Sequence, residues 1–213
     1  MLLKPLKKAK EKKVRIYVDG VFDLTHYGHG NVFRQAKNLF ENSEVIVGIN
    51  SDRDTIINKG QNVMTQEERR ELVASCKYVD QVLCPVDWYP TKAFIEHHNI
   101  DFVAHDGAPY RSHNMEDIYS EAKMSGKFIR TFRTPQISTS KLIQRVIRNR
   151  ERFILALTKR GYSLEDLSVS RLYYCIIKIK STIKKLFCCG KKEKKNRISA
   201  ANIDRGVIYK SDV

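Results

Sequence analysis

The chain has 213 residues, room for one large core or two small ones, and 42% of them are apolar, which excludes wholesale disorder. With 10 Gly and 5 Pro it is neither collagen-like nor low-complexity, and no apolar run approaches the ~18 residues a membrane-spanning helix needs. The formal charge of +15 sits in two tails: residues 1–13 and 168–197 are strongly basic, whereas 14–167 are close to neutral. That placement directs the tails toward anionic partners, a membrane surface or nucleic acid, and says little about the centre.

In chain order, 14–18 reads as a buried strand, and after a turn-rich stretch from Gly20 the apolar positions Val32, Ala36, Leu39 and Phe40 recur at helical spacing over 28–40. A second buried strand is expected at 45–49, then a polar, mobile stretch through Met64. Thr65 with Glu67 and Glu68 starts a helix running to Cys76. Short strands near 81–84, 101–104 and 128–132 alternate with helices near 91–98 and 115–125. Strands alternating with helices predict an α/β fold, a Rossmann-like doubly wound parallel sheet of about five strands, with ligands beyond the carboxyl ends of the strands. The expected divisions are a basic tail (1–13), a main α/β domain (14–152), a connecting helical segment (153–170), an amphipathic helix (171–190) and a C-terminal tail (191–213).

Five cysteines, an odd number, and a start without the apolar stretch of a secretory signal lead us to expect a reducing compartment, cytosol or nucleus. Cys76 and Cys84 are expected to be core thiols.

The first strand ends in DGVFDLTHYGH, residues 19–29, which sets His26 and His29 at the mouth of a helix whose free N–H groups favour anions. An imidazole can be cationic near neutral pH and suits phosphate oxygens gaining charge, although two histidines also serve simply as caps. No third ligand stands nearby at zinc spacing, and neither common glycine-rich phosphate loop is present. A second cradle follows the last strand: Arg133, then hydroxyls at Ser138, Thr139 and Ser140 before the periodic Leu142, Ile143, Val146 and Ile147, an N-cap beside a cation.

These motifs, together with Lys59-Gly60 ahead of TQEER, CKYVDQV at 76–82, DFVAHDGAPY at 101–110 and RGYSLEDLSVS at 160–170, resemble the cytidylyltransferase family over residues 14–170, and within it the branch that uses phosphocholine. Class I aminoacyl-tRNA synthetases share a similar histidine motif, and KMSGK at 123–127 resembles their second signature. The chain lacks room for a tRNA-reading domain, and ISTS fills that role in cytidylyltransferases. The resemblance implies attack of a phosphocholine oxygen on the α-phosphorus of CTP, yielding CDP-choline and pyrophosphate for phosphatidylcholine synthesis, with Mg²⁺ arriving on the nucleotide and no metal site of the protein's own.

It also implies roles. His26, His29 and Lys59 act on the phosphates. Val21, Phe22, His105, Asp106, Arg133, Thr134, Ile137 and Thr139 line the CTP site with His29 and Lys59. Lys59, Trp88, Asp106, Tyr110 and Tyr119 receive phosphocholine. Aromatic faces and a carboxylate are what a quaternary ammonium requires, because it cannot donate a hydrogen bond. Ethanolamine-using relatives typically lack the His105–Asp106 pair and the tyrosine that follows, which makes phosphoethanolamine the alternative acceptor. One departure stands out: Gln136 replaces the glycine of the usual RTxGIST pattern and is expected to strain that turn or weaken CTP binding, which keeps open a catalytically idle, lipid-binding relative.

In 172–187, Leu172, Ile176, Ile179, Ile183, Leu186 and Phe187 share one arc while Lys178, Lys184 and Lys185 face away, the pattern of a basic amphipathic helix on an anionic membrane. Packing against the catalytic domain is the other use of such a helix. The resemblance adds regulation by lipid and a homodimer contact at CKYVDQV. Cys188 and Cys189 beside the basic run suit S-palmitoylation. A cytoplasmic peripheral membrane protein is expected; the N-terminal lysines leave nuclear import open, and nucleic acid is not an expected partner.

Overall fold

The computed structural model describes residues 13–110 and 116–184, whose compact units divide between Gln144 and Arg145. In the first unit, β1 (Val14–Gly20), β2 (Ser43–Asn50), β3 (Gln81–Val86), β4 (Phe102–Asp106) and β5 (Phe128–Thr131) form one parallel sheet in the order β3-β2-β1-β4-β5. Helices α1 (Tyr27–Lys37), α2 (Asp52–Asn58), α3 (Gln66–Ala74), α4 (Lys92–His97) and α5 (Ser120–Met124) fill the crossovers, and α6 (Thr139–Arg148) follows β5.

Both faces of the sheet are covered, which is why its central strands read as unbroken apolar runs. On one face Ile16, Val18, Val45 and Val47 pack with Phe33 and Ala36 of α1 and Val73 of α3. On the other, Tyr17, Ile46 and Val103 meet Trp88, Ile95, Ile118 and Ala122. Each fully buried Ile or Val contributes about 1.5–3 kcal/mol, so these strands fix the frame on which the loops hang.

The expected helix at 115–125 is shorter, Ser120–Met124, and residues 111–115 lie outside the described ones. Expected as a mobile stretch, residues 52–58 instead form α2. Ser51 caps it by accepting from the Asp54 N–H at 3.0 Å, and Asp52 and Asp54 complement the dipole of its first turn. Seven residues with only Thr55 buried are too few to show a helical period.

The second unit contains α7 (Arg150–Lys159) and a helix over residues 171–184. Ile154 of α7, Val169 and Ile177 form its core with Tyr173 and Tyr174 alongside. The Tyr174 hydroxyl donates to Thr158 Oγ1 at 3.2 Å, and Lys180 pairs with Glu151 at 3.0 Å. Residues 185–190 of the expected amphipathic helix, with Leu186, Phe187, Cys188 and Cys189, lie outside the described residues. Among the described residues no helix is long and apolar enough to cross a membrane.

Candidate functional site

Strand order reverses between β1 and β4, and beyond their carboxyl ends opens a cleft of about 430 Å³. Val21, Phe22, His26, His29, Lys59, His105, Asp106, Tyr110, Arg133, Thr134, Ile137 and Thr139 all line it. Trp88 and Tyr119, placed on the acceptor by resemblance, do not. They lie buried behind the wall, with Trp88 tilted against Tyr110 at 6.3 Å between ring centroids.

The histidines are held by the start of α1. His26 is the N-cap in extended conformation; its Nδ1 accepts from the Gly28 N–H at 3.1 Å, and its own backbone N–H donates to His29 Nδ1 at 3.4 Å. This is a capping box made of two imidazoles, stacked 3.9 Å apart at 12°. Because both Nδ1 atoms accept, the proton of each neutral ring resides on Nε2. The His26 Nε2 is buried and has no partner. Burial lowers the His26 pKa, and burial, then His26 and Lys59, push His29 down to about 3. The rings are therefore neutral donors at pH 7 rather than the cations that imidazole chemistry allows. A Cβ on Gly28 would lie 2.9 Å from the His26 ring and from Ile137 Cγ2, so glycine is what lets the rings stack and the two cradles meet.

Lys59 closes α2, and its ammonium has a lowered pKa, through burial first and Arg133 second. The segment after it is tied down by the Asp23 carboxylate, which accepts from Val63 N–H at 3.0 Å and Met64 N–H at 2.8 Å. The second cradle is stapled to α1: Asn31 donates to Thr134 Oγ1 at 2.9 Å, and Gln35 exchanges hydrogen bonds with both backbone groups of Phe132. The Thr139 hydroxyl reaches back to the Asp23 carbonyl at 2.9 Å. At the turn, Gln136 has φ +66°, the strained left-handed region anticipated for a residue in glycine's place.

A second group in the same cleft surrounds Asp19, which is buried, accepts from the Tyr119 hydroxyl at 3.0 Å, and has its pKa raised by burial, with His105 opposing the rise. The His105 ring stacks on Tyr119 at 4.5 Å and meets Tyr110 edge-on at 5.8 Å. Burial acts to raise the Asp106 carboxyl as well, yet the Arg133 guanidinium bonded to it and neighbouring His105 hold it below its ordinary value.

A family model described as cytidylyltransferase-like matches residues 17–145, which include every residue of this cleft. The chain belongs to the cytidylyltransferase-like family. Choline-phosphate cytidylyltransferase A of Homo sapiens is 45% identical over 160 residues, covering 75% of this chain and 44% of that one. The probable choline-phosphate cytidylyltransferase of Schizosaccharomyces pombe is 46% identical over 159 residues, covering 75% and 44%. An ethanolamine-phosphate cytidylyltransferase of Mus musculus is 33% identical over 158 residues, covering 74% and 37%. The chain thus spans less than half the length of each of these three relatives.

Sequence reasoning passed over three residues of this cytidylyltransferase-like site. Asp19 is an acid ending an apolar strand run, a signal that a buried carboxylate faces a ligand. Asp23 and Asn31 were passed over because the partners through which they brace the site lie 40 and 103 positions away. Among the described residues no group of three or more His, Cys, Asp or Glu could hold a metal ion. Asp23 is engaged by three backbone amides, those of Leu24, Val63 and Met64, and Asp19 by Tyr119, so this donor set suits a Mg²⁺ carried by nucleotide phosphates and water.

Proposed function

We propose that this chain transfers the cytidylyl group of CTP to phosphocholine, releasing pyrophosphate. The observation that carries the reading is a pair of tautomer-fixed neutral imidazoles lining the same cleft as the buried Asp19 carboxyl and its aromatic neighbours. A phosphocholine oxygen attacks the α-phosphorus in line, and the protein positions the reactants and neutralises charge. His26 and His29 donate through Nε2 to phosphate oxygens as charge moves onto the departing pyrophosphate, and Lys59 adds a full positive charge. Arg133, Thr134, Ile137, Thr139 and the N–H groups opening α6 hold the nucleotide, with the Val21 and Phe22 backbone. A Mg²⁺ ion bound with CTP supplies further neutralisation of the phosphates.

For the acceptor, a trimethylammonium group needs apolar faces and a nearby negative charge, which Tyr110, His105 and Asp19 supply, backed by Tyr119 and Trp88. Its arrival favours the ionised form of Asp19. A primary ammonium needs three acceptors instead, a poorer match to this aromatic wall.

On the same reading the protein is a cytoplasmic, peripheral-membrane homodimer. Supporting membrane contact, Leu172, Ile176, Ile179 and Ile183 are exposed on the helix over 171–184, flanked by exposed Lys178, Lys180 and Lys184. Supporting a second copy at CKYVDQV, β3 is an edge strand.

The test is CDP-choline formation from CTP and phosphocholine with Mg²⁺, with and without anionic vesicles, alongside phosphoethanolamine and glycerol 3-phosphate. We expect phosphocholine to react at least about tenfold faster than phosphoethanolamine. No nucleotidyl product with any acceptor would remove the reading.

A further inference from the structure

Arg69 of α3 is the largest fully buried side chain in the molecule's described part, and nothing in the chemistry above uses it. Its Nη1 donates to the Val21 carbonyl at 2.6 Å, and its Nη2 to the Asn50 carbonyl at 3.0 Å and to Asp52 Oδ1 at 2.6 Å. Only its Nε lacks a partner. A buried guanidinium with one carboxylate beside it is costly to keep, and its remaining bonds go to two carbonyls at the carboxyl ends of β1 and β2.

The first of those carbonyls has a geometric consequence. The Val21–Phe22 peptide is trans, and in a planar trans peptide the C=O and the following N–H point in opposite directions. With the carbonyl of Val21 fixed toward Arg69 in the interior, the Phe22 N–H is aimed away from it. Val21 and Phe22 both line the cleft, and no hydrogen bond among the described residues claims that N–H. Phe22 also holds φ +55°, a conformation that needs support from its surroundings.

The second arm runs through Asp52. Besides Arg69 it accepts from the Asn62 side chain at 2.9 Å and from the Gln66 N–H at 3.0 Å, so it grips the middle of the segment that links Lys59 to α3 and the start of α3 itself. One buried side chain therefore holds the loop after β1, the end of β2 and the base of the Lys59 segment.

We propose that Arg69 is a positioning residue: it presets the Val21–Phe22 peptide as an N–H donor to a substrate phosphate and, through Asp52, fixes the segment that carries Lys59. The assignment rests on the proposed reaction for its kinetic readout but not for its binding readout. Lysine at this position keeps the charge and loses the planar fork, so Arg69→Lys separates geometry from electrostatics. Asp52→Asn leaves both carbonyl bonds in place and loosens only the Lys59 arm.

The experiment measures, on the full chain with Mg²⁺, steady-state constants for CTP and phosphocholine, the thermal midpoint, and the amide resonance of Phe22 on titration with CTP. Expected for the wild type is a downfield shift of the Phe22 amide proton with coupling to ³¹P. Arg69→Lys is expected to lose that signature and about 100-fold in kcat/KM for CTP, with the phosphocholine KM little changed. Asp52→Asn is expected to keep the signature and show a smaller loss. The proposal is overturned by a wild-type Phe22 amide that ignores CTP, or by a folded Arg69→Lys variant with wild-type constants for CTP. Should that variant not fold, the response of the wild-type amide to CTP decides the matter alone. A chain that binds CTP through Phe22 yet makes no CDP-choline refutes the proposed reaction and supports Arg69's role.

Discussion

The two clusters in the cleft are held by different physics. In the histidine cluster, His26, Gly28 and His29 are neighbours in sequence, and their orientation follows from capping one helix. In the Asp19 cluster, the carboxyl gains its surroundings from Tyr119, 100 positions away, and from His105 on another strand. A locally capped group keeps its geometry while the rest of the molecule moves. A group poised by burial changes its charge as soon as something enters or leaves. The first cluster suits phosphates that must be met by fixed donors, the second a cation whose arrival alters the site.

The contrast breaks most visibly at His26. Asparagine is as good an N-cap as any residue but has no counterpart of the unpartnered Nε2–H. We expect His26→Asn to lose about 100- to 1,000-fold in kcat while its thermal midpoint stays near the wild-type value. His26→Ala should show the same kinetic loss plus about 1 kcal/mol of stability, read from denaturant unfolding. Equal activity of the asparagine variant and the wild type would place the chemistry elsewhere.

In the other cluster, Asp19→Asn keeps the shape and removes the charge. The expected result is a phosphocholine KM raised by roughly 30-fold or more, with the KM for CTP nearly unchanged. The pH dependence sharpens this. An acid whose folded pKa is raised binds more protons folded than unfolded, so its contribution to stability falls as pH climbs above the ordinary carboxylate value. Choline itself, which has no titrating phosphate, should bind more tightly as pH rises through that range, and calorimetry should find the dependence abolished in Asp19→Asn.

The histidines give the opposite sign. His29 is lowered to about 3, so the unfolded chain takes up a proton near 6.5 that the folded one refuses. Stability should therefore fall as pH drops from 6.5 toward 3, by at most about 1.4 kcal/mol per pH unit for one group. Comparing unfolding of the wild type and His29→Asn across that range isolates the term.

Gln136→Gly should show the smallest effect: about 1 kcal/mol more stable, with CTP bound a few-fold more tightly, because the left-handed turn is then free of strain. No gain in either would mean that the glutamine side chain compensates within the loop.

The same contrast explains what could be read in advance. The strands at 14–18 and 45–49 announce themselves because both faces of a covered parallel sheet are apolar, and the His26–His29 and ISTS cradles because capping is a local grammar. Asp19, Asp23 and Arg69 stayed hidden since their roles arise from partners distant in sequence. Helix α2 escaped because a short, mostly exposed helix carries a cap and no period. Trp88 and Tyr119 were legible as aromatic, but their depth behind the wall was not.

The central claim is that His26 and His29 meet phosphate as neutral rings protonated on Nε2. Nitrogen-15 NMR of the imidazoles in the ligand-free protein at pH 7 tests it most directly. The account predicts both rings in the neutral Nε2–H form, with no titration of His29 above pH ~5. Imidazolium signals, or protons resident on Nδ1, would contradict it.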